Sequence, residues 1–128
     1  MKSATIVMIL FSVTLTASAQ ILLKFGMVDR RIGSLSSFGD ILAIIMAIAT
    51  SPWIIGGLLM FGISVVVWLF VLASVPLSVA YPFVALGICV TSLAGNIVFS
   101  EPFTPMKMFG LAFIVLGIAL ISASVNEY

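Results

Sequence analysis

From Ile41 to Ser100 the chain runs sixty consecutive residues without Asp, Glu, Lys or Arg. As a single helix rising about 1.5 Å per residue, that stretch would reach about 90 Å. The hydrocarbon core of a bilayer is only about 30 Å thick. Such a segment must turn and cross more than once. The rest of the chain agrees: 63% of its 128 residues are hydrophobic and 7% are charged, where soluble domains carry roughly 25% charged residues. Five basic and four acidic residues cannot cover the surface of a water-soluble fold. The expected class is an all-α, polytopic membrane protein, because helices satisfy their own backbone polar groups in lipid.

The composition also excludes several chemistries. A net charge of +1, with no basic run longer than Arg30–Arg31, leaves no electrostatic footprint for nucleic acid. Without His and with one Cys there is no zinc site, no Cys–His nucleophile pair and no intrachain disulfide. Cys89 lies in an apolar run, where a free Cys reads as a small packing residue. No metal, no cofactor and no enzymatic activity are expected.

Four spans are expected in one transmembrane domain. The first runs from about Ala4 to Leu23 and ends at Lys24. Its start imitates a secretory signal, with basic Lys2, an apolar stretch and Ala17-Ser18-Ala19 before Gln20. The charge-free run Ser3 to Leu23 is nevertheless 21 residues, long enough to span, and the remainder of the chain is itself membrane-embedded. Retention is the expectation. Phe25 to Asp40 is the most polar stretch and reads as a loop. Ile41 to Thr50 is apolar but ten residues long, which suits an interfacial or re-entrant helix; counting it as a span would give five.

Pro52 is placed to start the second span, Trp53 to about Ser74, whose Gly56, Gly57 and Gly62 would admit a neighbouring helix. The third, Leu77 to Phe99, contains Pro82 and is expected to kink or unwind there. Glu101-Pro102 and Pro105 form the next loop, and Met108 to Val125 is the fourth span. In it, Gly110 and Gly117 lie on one face and offer a contact for a second chain. Lys24, Arg30, Arg31 and Lys107 fall after spans one and three, against Lys2 alone on the other side. Positive charge favours the cytoplasm, so loops one and three are expected inside and both termini outside, with too strong a bias for dual topology.

Two polar stripes interrupt the apolar background. Ser12, Thr16, Gln20 and Lys24 recur every four residues, an advance of about 40° per step along a helix. Hydroxyls within a membrane often only bond their own helix or a packed neighbour. An amide such as Gln20 needs further partners. Lys24 either snorkels to the interface or contacts a phosphate or carboxylate there. In span three, Ser78, Tyr81, Ala85, Cys89, Ser92 and Asn96 share an arc of about 80°. They read either as interhelical bonding or as the wall of a polar cavity. No carboxylate lies within any span, where a proton-coupled exchanger usually holds one.

Ala19-Gln20-Ile21-Leu22-Leu23-Lys24, Val75-Pro76-Leu77-Ser78-Val79-Ala80-Tyr81-Pro82 and Glu101-Pro102 resemble the drug/metabolite transporter superfamily. They are similar to its four-span branch of small multidrug resistance and EamA-like proteins, and most of all to the aminoarabinose–undecaprenyl-phosphate flippase subunits of Gram-negative bacteria. The resemblance covers essentially the whole chain. Small multidrug resistance transporters carry a Glu eight residues before the Lys that matches Lys24; here that position is Thr16. The departure argues against drug/proton antiport.

What the resemblance implies is a multi-pass protein of the bacterial inner membrane that moves a polyprenyl-phosphate-linked sugar from the cytoplasmic to the periplasmic leaflet. Thr16, Gln20, Lys24, Tyr81, Ser92, Asn96 and Glu101 are the candidate substrate-binding residues. Four helices are too few to enclose a headgroup, and ten-span members of the superfamily join two such halves. A dimer is therefore expected, with itself or with a related four-span subunit. The alternatives are an exporter of a small polar or cationic metabolite and a non-transporting accessory subunit.

Overall fold

The structure, a computed structural model, describes residues 3–28 and 41–124. Most of the expected first loop, with Arg30 and Arg31, lies outside the described residues, as do Lys2 and the last four residues. Among the described residues six α-helices occur in order: α1 (Ser3–Val28), α2 (Ile41–Thr50), α3 (Pro52–Ser74), α4 (Leu77–Ala80), α5 (Val84–Phe99) and α6 (Pro105–Ser124). A 3-10 turn at Tyr81–Phe83 joins α4 to α5, so that Leu77–Phe99 forms one interrupted span. With α1, α3 and α6 this makes four helices long and apolar enough to cross a bilayer. The chain is a multi-pass membrane protein. Helix α2, at ten residues, is too short to be a fifth span.

Pro82 explains the break in span three. It has no N–H to donate and its ring obstructs the preceding turn, so the α-helical ladder gives way to a 3-10 turn. At two other boundaries the structure departs from the sequence reading. Helix α1 continues through Phe25-Gly26-Met27-Val28, a stretch whose sequence reads as loop. Phe25 packs in tilted contact with Trp53 (centroids 5.4 Å apart) and Phe99 (4.8 Å), and Ile54 fills the space where Gly26 has no side chain. Packing overrides the turn signal. Helix α6 starts at Pro105 rather than Met108, with the ring at the first helical position where no N–H is required.

Helices α1 and α3 form the central antiparallel pair. Ser12, Ala19 and Gly26 on α1, and Gly57, Ser64 and Val71 on α3, are all buried, each set at seven-residue spacing. Seven residues bring a helix back to within about 20° of the same face, so each set forms a nearly straight seam. All but Val71 are small, because two helices in lipid associate through close packing rather than exclusion from water. A Cβ on Gly57 would lie 2.9 Å from the Leu23 side chain and 3.2 Å from the Ala19 carbonyl oxygen. Gly56 and Gly62, expected to act likewise, meet nothing within 4 Å among the described residues.

Beyond the seam, Ile9, Val13, Val71, Val75 and Ala80 make an apolar core beside the Val75-Pro76 connection, with Trp68 and Phe83 against it. Helix α5 leans on α1, where a Cβ on Gly87 would touch Val13 at 3.4 Å. Helix α6 packs mainly on α5 and buries only Ile118 among its described residues. The face carrying Gly110 and Gly117 is open.

Candidate functional site

The four-residue stripe on α1 divides in two. Ser12 and Thr16 are tied to Ser64, a single hydroxyl in the middle of α3. Ser12 Oγ donates to the Ser64 carbonyl at 3.2 Å, Ser64 Oγ donates to the Ser12 carbonyl at 3.0 Å, and Thr16 Oγ1 donates to the Ser12 carbonyl at 2.9 Å. The Thr16 and Ser64 hydroxyls also contact one another. Each of these hydroxyls is satisfied inside the helix pair, as buried polar groups in lipid must be. Ser64 is absent from the sequence-derived candidates. Its signal is the spacing Gly57–Ser64–Val71, not any polar neighbour along α3.

Gln20 and Lys24 face elsewhere. Each four-residue step rotates about 40°, so Lys24 stands about 120° around the helix from Ser12 and leaves the seam. Both residues line a pocket of about 370 Å³ with Leu23, Met27, Thr91, Gly95, Phe99 and Glu101. A second pocket of about 350 Å³ continues from it, bounded by Thr16, Phe61, Ser64, Val65, Trp68, Tyr81, Val84 and Ile88. Gln20 and Thr91 border both. The two adjoin to make an open groove: its Lys24 end lies between α1, α5 and the Glu101 turn, and its largely apolar remainder lies between α1, α3 and α5. Thr91, also absent from the candidates, reaches the groove on the line Gly87–Thr91–Gly95, although its hydroxyl is used on the Gly87 carbonyl at 2.9 Å.

At the polar end Lys24 Nζ lies 2.9 Å from Glu101 Oε1, with side chains 48% and 38% exposed. The ammonium also stands 5.6 Å from the centre of the Phe99 ring, within cation–π range. Glu101 is held by its backbone. Its N–H donates to the Gly95 carbonyl at 3.1 Å, and its carbonyl accepts from Asn96 Nδ2 at 2.8 Å. Ser100, in the left-handed region at φ 53°, turns the chain so that both bonds form. Gly95 has no Cβ because one would sit against the Glu101 carboxylate, 3.1 Å from Cδ. The hydrogen bond and charge of Lys24 hold the Glu101 carboxyl below its ordinary value, with Lys107 adding a smaller pull and partial burial opposing.

The structure thus brings together Lys24, Glu101, Asn96 and Gln20 of the sequence-derived candidates. Tyr81 lies at the far end of the same groove, 62% exposed. Ser92 lines neither pocket. One residue on from Thr91, it points about 100° away, and the stripe Ala85–Cys89–Ser92–Asn96 follows that neighbouring face. Asn96 is linked to the site through Glu101 rather than through the groove wall. No group of three or more metal-ligating side chains occurs among the described residues.

Four apolar spans, three of which border an amphipathic groove with an ion pair at one end, define the class as a multi-pass membrane protein. The sequence pattern described as Small Multidrug Resistance protein matches residues 40–114, more than half of the chain, and the chain belongs to that family. The match leaves out α1, which carries Gln20 and Lys24. A protein of Serratia proteamaculans (strain 568), named as a probable 4-amino-4-deoxy-L-arabinose-phosphoundecaprenol flippase subunit ArnE, is 41% identical over 73 residues, 57% of this chain and 64% of its own length. Proteins of the same name from Pseudomonas fluorescens (strain Pf0-1) and Pseudomonas aeruginosa (strain LESB58) are 38% and 39% identical, over 56% and 58% of this chain and 62% and 64% of theirs. The matches therefore span less than two thirds of these curated relatives. No solved structure gives a significant match.

Proposed function

We propose that the chain is a flippase subunit of the bacterial inner membrane, translocating a polyprenyl-phosphate-linked sugar of the aminoarabinose type from the cytoplasmic to the periplasmic leaflet. The observation that carries this reading is the groove: a polar end at Gln20, Lys24 and Glu101 runs on into an apolar wall of Phe61, Val65, Trp68, Val84 and Ile88. A headgroup occupies the polar lane while the polyprenyl tail stays in lipid, where moving it costs little. Lys24 holds the phosphate and Gln20 bonds the sugar. Thr16 and Tyr81 border the path toward the far end, and Asn96 sets Glu101. Ser92 faces away from this groove and contacts substrate only from a second chain.

The open groove and the open Gly110–Gly117 face support a dimer, with itself or with a related four-span subunit. The basic residues favour the cytoplasm for the Lys24 end. The exporter reading is weaker: within the described spans no carboxylate is present to couple a proton or bind a cation at depth.

The test is translocation in liposomes containing a labelled polyprenyl-phosphate aminosugar, with the chain alone and with a related four-span subunit. Exposure of the label at the opposite leaflet, dependent on the chain, is expected in at least one arrangement. Export of small cations with no movement of the lipid would replace this reading by the exporter one. Translocation by the second subunit alone, with the chain adding only to that subunit's stability, would leave an accessory role.

A further inference from the structure

The pairing of Lys24 with Glu101 has a consequence for which headgroups the groove accepts. A carboxylate at the C-terminal end of α5 sits where the helix dipole is negative, so it favours a cation beside it. Its backbone is fixed at both N–H and carbonyl, by Gly95 and Asn96, and a glycine makes room for its oxygens. Its side-chain partner among the described residues is Lys24. A ligand that engages Lys24 through a phosphate takes that partner away and adds a second negative charge next to the carboxylate. An anionic headgroup therefore binds against repulsion. A headgroup carrying a primary ammonium near its phosphodiester replaces the lost contact.

We infer that Glu101 is a specificity residue: the Lys24–Glu101 pair opens and exchanges partners with a zwitterionic headgroup, phosphate to Lys24 and primary ammonium to Glu101. This rests on the reading of the groove as a lipid-headgroup lane, and it assigns the carboxylate a role the phosphate contact alone does not require. The exchange is inexpensive at this place because both side chains are part-exposed and Lys24 has a flexible stem. Two sources offer the same chemistry, an aminosugar on a polyprenyl phosphate and an ethanolamine phospholipid.

The experiment measures binding of four probes to the full chain in neutral detergent. They are a short-chain polyprenyl-phosphate aminopentose, its counterpart with hydroxyl in place of the amine, a phosphatidylethanolamine and a phosphatidylglycerol. The expected result is an about tenfold preference for the amine-bearing polyprenyl probe, the size of one charge-assisted hydrogen bond. In Glu101→Gln that preference disappears, mainly because the amine-bearing probe weakens, while the hydroxyl probe binds as well or better. Glu101→Asp keeps part of the preference, and melting of each variant confirms folding. A preference that is unchanged in Glu101→Gln overturns the inference and leaves the flippase reading standing. A Glu101-dependent preference seen only between the two phospholipids keeps the zwitterion exchange and removes the polyprenyl lipid as its ligand. No preference in either pair defeats the exchange altogether.

Discussion

Ser12 and Thr16 differ from Gln20 and Lys24 although all four belong to one stripe on one helix. The first pair is absorbed by α3, hydroxyl to hydroxyl and hydroxyl to carbonyl around Ser64. Ser12 and Thr16 border the apolar part of the groove with their hydroxyls already bonded, whereas the second pair opens onto its polar end and, at Lys24, onto a carboxylate 77 residues further along the chain. Two physical facts separate them. A hydroxyl has one hydrogen to place and finds an acceptor in the adjacent helix, whereas an amide or ammonium has two or three and exceeds what a close-packed seam of small residues offers. A stripe of four-residue steps also turns by about 40° each time, so it cannot stay in a seam that repeats every seven residues. The geometry of the helix sorts structural hydroxyls from exposed functional groups.

That comparison breaks most readily at the seam. Gly57→Leu places a side chain against Leu23 and Ala19, and overpacking of this kind costs about 1–3 kcal/mol. A lowered melting temperature in detergent is expected, with α1 loosened from α3; a stability equal to wild type would show that the helices do not meet there. Gly62→Leu, by contrast, meets open space and should change little.

Ser64→Ala comes next. It removes the acceptor and donor shared by Ser12 and Thr16 while leaving the backbone carbonyls, so the loss should match a typical interhelical hydrogen bond in a membrane, about 0.6 kcal/mol and at most about 1.7. Thermal melting measures it. A loss well above that range would mean that the hydroxyl knot, and not the small-residue seam, holds the pair together.

The smallest effect concerns pH at the other end of the stripe. Lys24 depresses the Glu101 carboxyl below its ordinary value near 4.5, so the folded state binds that proton less readily than the unfolded chain does. The pair's contribution is present above the ordinary carboxylate range and is lost as pH falls through the depressed folded value. Being part-exposed, it is slight. The melting temperatures of wild type and Glu101→Gln should differ slightly at neutral pH and converge on acidification. A gap that widens in acid would contradict the pairing.

Much of the fold was legible because lipid imposes few rules. The charge-free stretch from Ile41 to Ser100 required repeated crossings, Pro82 marked the break in span three, and ten residues at Ile41–Thr50 were too few to span. The extension of α1 past Lys24 was hidden because Gly26 carries a turn signal in sequence and a packing role in space, against Ile54. Of the candidate site, the sequence shows several residues that line the groove and none of their pairings. Gln20 and Asn96 stand out in sequence as amides that need partners, Lys24 as a cation at a membrane boundary and Glu101 through the Glu101-Pro102 resemblance, but a sequence gives no distance between residues 24 and 101. Ser64 and Thr91 were obscured because single hydroxyls in apolar runs have no local distinction. Their lines, Gly57–Ser64–Val71 and Gly87–Thr91–Gly95, become visible once the seven- and four-residue spacings of small residues are followed.

The division of the stripe is tested most directly by measuring two quantities, lipid affinity and melting temperature, in two variants, Lys24→Ala and Ser12→Ala. A charge-assisted phosphate contact is worth roughly 1.5–3 kcal/mol, so Lys24→Ala should weaken binding of a polyprenyl-phosphate aminosugar by about ten- to a hundredfold with little change in melting. Ser12→Ala should lower the melting temperature and leave that affinity within about twofold of wild type. Wild-type affinity in well-folded Lys24→Ala, with Ser12→Ala the variant that loses lipid, would contradict the division.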